Sequence, residues 1–306
     1  MRPLATLGNV NVDLIMGPTT PWPRPGTEVL VAHDELRPGG AAGNTALAWA
    51  GMEVPFTIAS NVGDDAFGLW LINAFRPHSG AWVISPCYTT VSVGLTHPGD
   101  ERTFFTTRGH LPELGWHEAR PQLEQLDGGL LLLSGSFLMD KLAADYSALF
   151  TWAADRGVEI ALDPGWPVAG WTAAELSRAR TWVGATRHLL INEVEAMALA
   201  GADGIETALP TLADLLPDGA TVVVKAGPKG AYAWQGGTVH HTVAPEVLVV
   251  DTIGAGDIFN AGYLLAIAEG ATLPKALETG VILASRVIST SPRRYERPAG
   301  LRERVG

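Results

Sequence analysis

Cysteine is almost absent from this 306-residue chain, and neither a long apolar run nor an excess of basic residues occurs in it. The single cysteine, Cys87, excludes an intramolecular disulfide framework and fits a reducing compartment. No apolar run reaches the ~18 residues that a membrane span needs. The start of the chain becomes polar at Asn9, too early for a secretion signal. We therefore expect a cytoplasmic protein that does not enter a membrane.

The balance of charge is acidic. Lysine and arginine number 21 against 32 aspartate and glutamate residues, which gives a net charge of -11. A surface of this sign repels nucleic-acid backbones and anionic membrane faces. We therefore expect neither nucleic acid nor a membrane as a partner.

From about residue 129 onward, short apolar runs alternate with longer helical patterns. Hydrophobic residues make up 47% of the chain, enough for a substantial core. Continuous apolar strands between helices indicate a parallel sheet that is covered on both faces. The sequence therefore predicts an α/β protein, with apolar runs at 129–136, 158–163, 188–192 and 221–227 and helical patterns near 140–156, 172–182 and 205–216.

Two segments interrupt this alternation. Residues 29–36 and 91–107 have the pattern of antiparallel strands, and the second segment contains a turn at Pro98, Gly99 and Asp100. No helical pattern separates the strands of the second segment. We therefore expect a small β-sheet beside the main one.

The run DTIGAGDIFNAGYLLA places a glycine turn and a carboxylate at the start of an apolar helix. We expect a strand at 247–250, a turn through Gly254, Ala255 and Gly256, and a helix from near Asp257. Such a turn leaves backbone N–H groups free at a helix N-terminus, where the helix dipole favours negative charge. A carboxylate there can accept a proton from an alcohol while the amides hold charge on a phosphoryl group. In the alternative interpretation the glycines only permit a tight turn and the carboxylate caps the helix.

This run resembles the C-terminal signature of the ribokinase-like (PfkB) family of sugar and nucleoside kinases. In that family the matching aspartate is the catalytic base and the matching Gly-Ala-Gly amides form the anion hole. The resemblance implies these roles for Asp257 and for Gly254, Ala255 and Gly256. It also implies ATP and Mg²⁺ as cofactors.

Two further motifs resemble the sugar side of the family. PGGAAGNTALAWAGM is similar to its N-terminal signature, which implies sugar contacts for Gly39, Gly40 and Asn44; a turn before a small-residue helix is the alternative. LGNVNVDLIM, residues 7–16, resembles the family's first strand, and its Asn11 and Asp13 are then implied to face the substrate. A carboxylate after an apolar strand can accept hydrogen bonds from two sugar hydroxyls.

The nucleotide side is represented by two more motifs. INEVEA resembles the family's N-x-x-E motif, which implies that Asn192 and Glu195 organise Mg²⁺ and its waters. A polar helix start is the alternative interpretation. VVVKAGPKGAYA resembles the strand, glycine turn and strand that carry the nucleotide, so that Gly227 and Gly230 let the backbone approach ATP, with Lys225 nearby.

The resemblance extends over about residues 5–290, with all motifs in family order. It implies a ribokinase-like three-layer sandwich, with a central, mainly parallel sheet between helices and a small β-sheet lid. We accordingly expect a single kinase domain over residues 1–306, with lid segments at about 13–38 and 88–108. Strands without covering helices leave edges and an apolar face, so we also expect a homodimer formed through the lid.

The chain departs from the family pattern at several points. Ala41 replaces the lysine that ribokinases carry there, which argues against ribose, and residues 162–167 lack the asparagine and arginine of a phosphate-side motif. ISTSPRRYE replaces the Gly-Ala pair of potassium-dependent members, so a monovalent cation is not expected. Arg102 and Arg108 lie on or next to the second lid hairpin, where some relatives that phosphorylate acidic sugars use arginine, and exposed strand and turn charges are the alternative interpretation. The negative net charge favours a neutral sugar or a nucleoside over an acidic sugar.

These features together predict an ATP-dependent sugar kinase that phosphorylates a hydroxymethyl group of a small sugar or sugar-like compound. A nucleoside kinase is the alternative, since the same site accepts the ribose of a nucleoside. A non-catalytic sugar-binding protein on the same fold is a further one. A dehydrogenase predicts G-x-G-x-x-G after the first strand, and LGNVNVDL has no such pattern.

Overall fold

The computed structural model describes residues 1–97 and 102–298. The predicted turn at Pro98, Gly99 and Asp100 lies outside the described residues. The strands are β1 (Leu4–Gly8), β2 (Asn11–Gly17), β3 (His33–Gly39), β4 (Thr57–Ala59), β5 (Asn61–Gly63), β6 (Val83–Ser85), β7 (Val91–Thr96), β8 (Arg102–Thr106), β9 (Leu130–Ser134), β10 (Glu159–Asp163), β11 (His188–Asn192), β12 (Thr221–Lys225), β13 (Ala231–Gln235) and β14 (Thr238–Thr242).

Helices follow most strands of the second half of the chain. The α-helices are α1 (Ala41–Gly51), α2 (Ala66–Ala74), α3 (Trp116–Ala119), α4 (Asp140–Ala144), α5 (Tyr146–Asp155), α6 (Ala173–Val183), α7 (Glu193–Ala200), α8 (Ile205–Ala213), α9 (Ala255–Ala268) and α10 (Leu273–Ile288). Short 3₁₀ turns occupy Leu111–Glu113, Arg120–Leu123, Ser136–Leu138 and Gly227–Lys229. Among the described residues, no helix has both the length and the apolarity needed to cross a bilayer.

The main sheet has the order β14-β13-β12-β11-β10-β9-β1-β4. Its strands are parallel from β4 to β12, and β13 and β14 add an antiparallel edge. The parallel strands are buried on both faces, and all five residues of β9 are buried. The predicted α/β class, with a central and mainly parallel sheet, is confirmed.

Successive residues of each central strand contribute to different hydrophobic clusters. In β9, Leu131 and Leu133 pack into a cluster that includes Trp152 of α5. Leu130 and Leu132 belong instead to a cluster formed with α1, α9 and α10. Each fully buried leucine stabilises the fold by about 1.5–3 kcal/mol relative to an exposed one. Alternation along the strands therefore binds helices to both faces of the sheet and produces three layers.

A second, four-stranded sheet has the order β3-β2-β7-β8. The hairpin predicted at 91–107 is confirmed as β7 and β8. The strand predicted at 29–36 begins only at His33, and residues 29–32 form no strand. The physical reason is the register: Gly17 is the last residue of β2 and pairs with His33, so residues before His33 have no partner strand.

Two other strand predictions are corrected. The first strand, predicted over 7–16, is divided into β1 of the main sheet and β2 of the small sheet, because the chain passes between the sheets at Asn9. The strand predicted at 247–250 is absent: this segment forms no ladder, and Leu248 is 85% exposed. The N–H groups of Val250 and Asp251 instead donate to the carbonyl of Ile288. An apolar run forms a strand only where a neighbouring strand accepts its hydrogen bonds.

Candidate active site

Polar residues gather at the carboxyl edge of the main sheet. Asn9 follows β1, Asp163 ends β10, Asn192 ends β11 and Lys225 ends β12. Parallel strands end at the same edge of a sheet, and ligands of open α/β sheets bind at that edge. Helices α1 and α9 begin within hydrogen-bond reach of one another, since Asn44 of α1 donates to Asp257 of α9.

Asp257 lies in the first turn of α9 without capping it. The helix begins at Ala255, two residues earlier than expected, and its N-cap is Gly254, at φ 74° and ψ 8°. Asn44 Nδ2 donates a 2.8 Å hydrogen bond to Asp257 Oδ2. A Cβ on Gly254 would lie 2.7 Å from Asn44 Nδ2, so a side chain there would displace the asparagine. The helix-cap interpretation of this carboxylate therefore does not describe its contacts.

The surroundings of Asp257 favour its protonated form. Burial raises the pKa of this carboxyl group to about 8, and the negative charge of Asp163 acts in the same direction. The Asn44 hydrogen bond and the ammonium group of Lys225 oppose this shift. A carboxylate with a pKa near neutrality is suited to accept a proton from an alcohol.

Lys225 links the glycine turn at 254–256 to a buried polar pair, Asp163 and Asn260, that sequence reasoning missed. Its Nζ lies 2.6 Å from Asp163 Oδ2. Asn260 Nδ2, from the second turn of α9, donates a 2.7 Å hydrogen bond to the same oxygen. A Cβ on Gly256 would lie 3.3 Å from Lys225 Nζ, so the ammonium group adjoins the turn. The signal for Asn260 was present, because it is the one amide inside the apolar run IFNAGYLLA.

Asn192 and Glu195 form a capping box at the start of α7. Asn192 Oδ1 accepts from the backbone N–H of Glu195, and Glu195 Oε2 accepts from that of Asn192, both at 2.9 Å. Glu195 is buried, and burial together with the charge of Asp163 raises its pKa to about 7. The polar helix start of the alternative interpretation is therefore present, but its glutamate is buried and not exposed as that interpretation expects.

The described residues, 1–97 and 102–298, contain no cluster of three or more His, Cys, Asp or Glu side chains that could hold a metal ion. Mg²⁺ commonly keeps several waters and binds through one or two carboxylates together with phosphate oxygens. Glu195 and Asn192 are hard-oxygen groups beside Asp163 and fit that mode, because the capping box uses only one carboxylate oxygen of Glu195.

A ladder of hydrogen bonds leads to Asp13 on the other side of the site. Asn9 Nδ2 donates to Asn11 Oδ1 at 3.2 Å, and Asn11 Nδ2 donates to Asp13 Oδ1 at 2.7 Å. Asn9 Oδ1 accepts from the N–H of Ala41 at 3.2 Å. Burial raises the pKa of Asp13 to about 6, against the positive charge of Arg37. Asn9 was missed, although its period-two spacing with Asn11 and Asp13 indicates one shared face.

Glycine is required at the two signature positions that contact this ladder. A Cβ on Gly39 would lie 2.0 Å from Asp13 Oδ2. Gly40 has φ +86°, and its Cβ would lie 2.4 Å from the carbonyl oxygen of Asn9. The close approach of these backbones holds Asp13 and Asn9 in place.

The nucleotide-side glycines differ in their surroundings. A Cβ on Gly227, at φ +54°, would meet nothing within 4 Å, so space is open beside the end of β12. Gly230, at φ +91°, approaches the carbonyl oxygen of Thr242, which a Cβ would meet at 1.9 Å. Gly230 thus serves the contact with β14, and only Gly227 leaves room for a ligand.

Of the two lid arginines singled out in the sequence, the structure brings one to the site. Arg102 Nη1 donates to Thr252 Oγ1, in the loop before the glycine turn at 254–256. Arg108 pairs with Asp140 at the surface, where the arginine side chain is 79% exposed. Arg37, which sequence reasoning missed, forms a 2.7 Å ion pair with Asp251.

Known proteins are similar to this chain along most of its length. The sequence pattern of the pfkB family carbohydrate kinases matches residues 1–295. Ribokinase of Haemophilus influenzae is 25% identical over 298 residues, which cover 93% of this chain and 91% of that protein. Fructoselysine 6-kinase of Escherichia coli is 41% identical over 68 residues, 22% of this chain and 26% of that protein. The solved structure of Arabidopsis thaliana ribokinase with ribose and ATP superposes with a TM-score of 0.78 at 22% identity, covering 97% of this chain and 96% of that one.

Proposed function

The chain belongs to the pfkB family of carbohydrate kinases and is a sugar kinase; from this we propose that it transfers the γ-phosphoryl group of ATP to a hydroxymethyl group of a small sugar or sugar-like compound. The observation that carries the proposal is the partly buried Asp257, which Asn44 holds at the first turn of α9. The need for ATP favours the cytoplasm as the place of action.

Each group at the anion-hole turn has a role in this proposal. Asp257 accepts the proton of the substrate hydroxyl as the oxygen attacks phosphorus. The N–H groups of Gly254, Ala255 and Gly256 stabilise negative charge on the transferred group. Lys225, held by Asp163, adds a positive charge beside Gly256 and compensates for the asparagine and arginine that are missing at 165–167.

The remaining site residues hold the two substrates. Asn11 and Asp13 bind sugar hydroxyls, supported by Gly39 and Gly40. The open backbone at Gly227 gives ATP access to the end of β12. Asn192 and Glu195 would hold Mg²⁺ through waters, and the bound ion would neutralise phosphate charge.

We also propose that the small sheet is a lid within a single kinase domain. Its four strands lie within the segments 13–38 and 88–108 and residues close to them. The Asp13 side of the sheet faces the site, and Arg102 of β8 contacts the loop before α9. Closure of such a sheet over the sugar excludes water from phosphoryl transfer.

A nucleoside kinase remains the alternative function, and a non-catalytic sugar-binding protein the second. An assay of ADP release with MgATP distinguishes them, using ribose, fructose, fructoselysine, fructose 1-phosphate, 2-keto-3-deoxygluconate and adenosine as acceptors. We expect a sugar or sugar derivative to stimulate ADP release more than adenosine does. Release without any acceptor dependence, or binding without turnover across the set, would refute the kinase proposal.

A guanidinium group occupies the position beside the anion hole where oxygen atoms could hold a cation. Arg293 Nη2 lies 2.5 Å from Asp251 Oδ2 and 2.6 Å from the carbonyl oxygen of Ile253. A carboxylate and a carbonyl oxygen are typical ligands of a metal cation, and here the chain supplies the positive charge itself.

We therefore predict that activity does not depend on a monovalent cation. The rate should be the same in K⁺, in Na⁺ and in tetramethylammonium at constant ionic strength. Arg293→Gln should lower the rate and make it respond to K⁺, because the oxygen pair then lacks its cation. Strong activation of the wild-type enzyme by K⁺ would contradict the prediction.

One row of apolar side chains crosses the outer face of the small sheet. Leu36, Leu14, Val93 and Phe105 are successive cross-strand partners, one residue out of phase with Asp13. Leu36 and Phe105 are 46% and 52% exposed. A contiguous apolar row on a sheet with open edges favours association with another chain.

We therefore predict a homodimer formed through this row. Sedimentation velocity at micromolar concentration should show a dimer, and Phe105→Glu should shift it to a monomer because the row would then bury a charge. Phe104→Glu, on the opposite face, is the matched control. A fully active wild-type monomer at that concentration would be incompatible with the lid dimer.

A further inference from the structure

Three arginines converge on one carboxylate where the small sheet meets the loop before α9. Arg37 Nη1 lies 2.7 Å and Arg293 Nη2 2.5 Å from Asp251 Oδ2, and Arg102 Nη2 lies 3.8 Å from Asp251 Oδ1. These arginine side chains are only 11%, 15% and 17% exposed, respectively. The arginines come from β3, β8 and the segment after α10, so the cluster forms only in the folded chain.

The cluster carries more positive than negative charge. Two mainly buried carboxylates, Asp251 and Asp13, lie near the three guanidinium groups in the described residues, so one positive charge is left over. Glu35 also contacts Arg37 at 3.3 Å but is 62% exposed, and such surface pairs contribute little. Asp13 is near enough for the charges of Arg37 and Arg293 to lower its pKa against the effect of burial. Buried charges are unfavourable unless they are matched. The excess positive charge of the cluster is therefore expected to be balanced by a bound anion.

Several N–H donors of the cluster have no partner within the described residues. They are buried and comprise Arg37 Nε, Arg37 Nη2, Arg102 Nε and Arg293 Nε. In Arg37, the Nε and Nη2 groups form one edge of the guanidinium, which can donate two parallel hydrogen bonds to a carboxylate or phosphate. A desolvated donor without an acceptor is destabilising, so its partner is expected to be a ligand or ordered water.

The cluster adjoins the proposed sugar site. Arg37 is directly opposite Asp13 in the β2–β3 register, and directly opposite residues project from the same face of a sheet. The same cross-strand row continues through Ser92 to Thr106. Arg102, four residues before Thr106 on β8, projects from that face as well. A sugar bound at Asp13 therefore has Arg37 and Arg102 on its own side of the sheet.

Resting on the proposed function, we propose that the substrate carries an anionic group, a carboxylate or a phosphate, and that Arg37 and Arg102 bind it. Net charge alone favours a neutral substrate, but salt screens distant surface charges beyond a Debye length of about 8–10 Å. The buried cluster is much less screened and determines the preference at the site. Arg293 stays with Asp251 and Ile253 and holds the loop.

Steady-state kinetics with related sugars test this proposal. Fructose is the neutral reference compound. Fructose 1-phosphate tests for binding of a phosphate, and 2-keto-3-deoxygluconate tests for binding of a carboxylate. At least one anionic compound should have a higher kcat/KM than fructose. Arg37→Met should raise KM for that compound by roughly 10- to 100-fold, the range expected for a charged bidentate contact, and should raise KM for fructose by a much smaller factor.

Two further variants separate charge, geometry and folding. Arg37→Lys keeps the charge but loses the paired edge, so its KM for the anion should lie between those of wild type and Arg37→Met. Arg108→Gln, on the exposed rim of the same sheet, should behave as wild type. Urea unfolding of every variant shows whether it is folded under the assay conditions.

Calorimetry separates failure of this proposal from failure of the kinase proposal. Asp257→Asn protein with MgADP present can bind the three compounds without turnover, and the preferred anion should bind at least about tenfold more tightly than fructose. This preference should be lost in the Asp257→Asn, Arg37→Met double variant. Equal or weaker binding of both anions, or an equal loss for fructose and the anion in that variant, would overturn the proposal even if fructose is phosphorylated.

Discussion

Replacing Asp257 with asparagine should lower kcat by roughly 10²- to 10⁴-fold, the range typical of general-base loss. Asparagine keeps the shape of the side chain but cannot accept the proton of the substrate hydroxyl. The 2.8 Å contact with Asn44 involves the carboxylate oxygen Oδ2, and an amide oxygen can accept the same hydrogen bond. KM for the sugar should therefore change little, and the measurement is steady-state ADP release with saturating MgATP.

Asp13→Ala is the matched contrast to Asp257→Asn. It removes hydrogen bonds to the sugar that exist both before and during transfer, so its main effect should be a raised KM. A near wild-type kcat for Asp257→Asn would show that this carboxylate is structural. A large kcat loss with unchanged KM for Asp13→Ala would interchange the two proposed roles.

The pH dependence provides a second measurement on Asp257. Because its pKa is raised to about 8, the carboxyl group is mostly protonated near pH 7 and must lose its proton to act as a base. The kcat/KM of the wild type should therefore rise with pH and level off above about pH 8. The folded-state pKa exceeds the unfolded value, so the stability that this group contributes is lost as pH rises from the unfolded value of 3.8 to about 8 and does not fall further above that. Asp257→Asn should then be the more stable protein at alkaline pH.

Replacing Lys225 with methionine should destabilise the fold by about 3–5 kcal/mol, the cost of removing one partner from a buried ion pair. The ammonium group pairs with Asp163 at 2.6 Å, and the two side chains are only 12% and 10% exposed. Its charge also acts on Glu195 and Asp257 and opposes the rise in their pKa values. Without it, these three carboxylates remain together without a cation, and the free energy of unfolding in urea should fall accordingly.

Controls distinguish a buried pair from a general loss of charge. Lys229→Met removes a lysine that is 62% exposed and paired with Glu193 at 2.9 Å, so its effect on the free energy of unfolding should be much smaller than that of Lys225→Met. The double variant Lys225→Met, Asp163→Leu removes both charges and should recover much of the lost stability without recovering activity. Equal effects of the Lys225 and Lys229 substitutions would show that the Asp163 pair contributes nothing special.

Local sequence patterns determined the fold class and the position of most elements. Short apolar runs such as Leu130–Leu133 are typical of interior strands, and the helical patterns between them indicate a parallel sheet. The family signature around Asp257 is likewise contiguous, so family and enzyme class follow from the order of residues alone. These features depend only on residues close together in the sequence, because the spacing of apolar residues along the chain indicates whether a segment is a helix or a strand.

Long-range contacts explain what the sequence did not reveal. Residues 29–32 and 247–250 resemble strands locally but have no strand beside them, which only the register of the folded sheets decides. Asn260 and Asp163 are 97 positions apart, and Arg37 and Asp251 are 214 apart. Local sequence patterns do not predict such pairs, because the residues near each partner in the sequence are the same whether or not the two side chains meet in the folded protein.

The electrostatic character of the site was decided by the tertiary structure alone. The sequence supplies a net charge of -11, yet folding places Arg37, Arg102 and Arg293 around Asp251 and withdraws them from solvent. It likewise buries Asp257 beside Asp163 and raises its pKa. Composition determines the sum of the charges, whereas burial and proximity determine their strength, since Coulomb interactions and desolvation depend on distance and local dielectric.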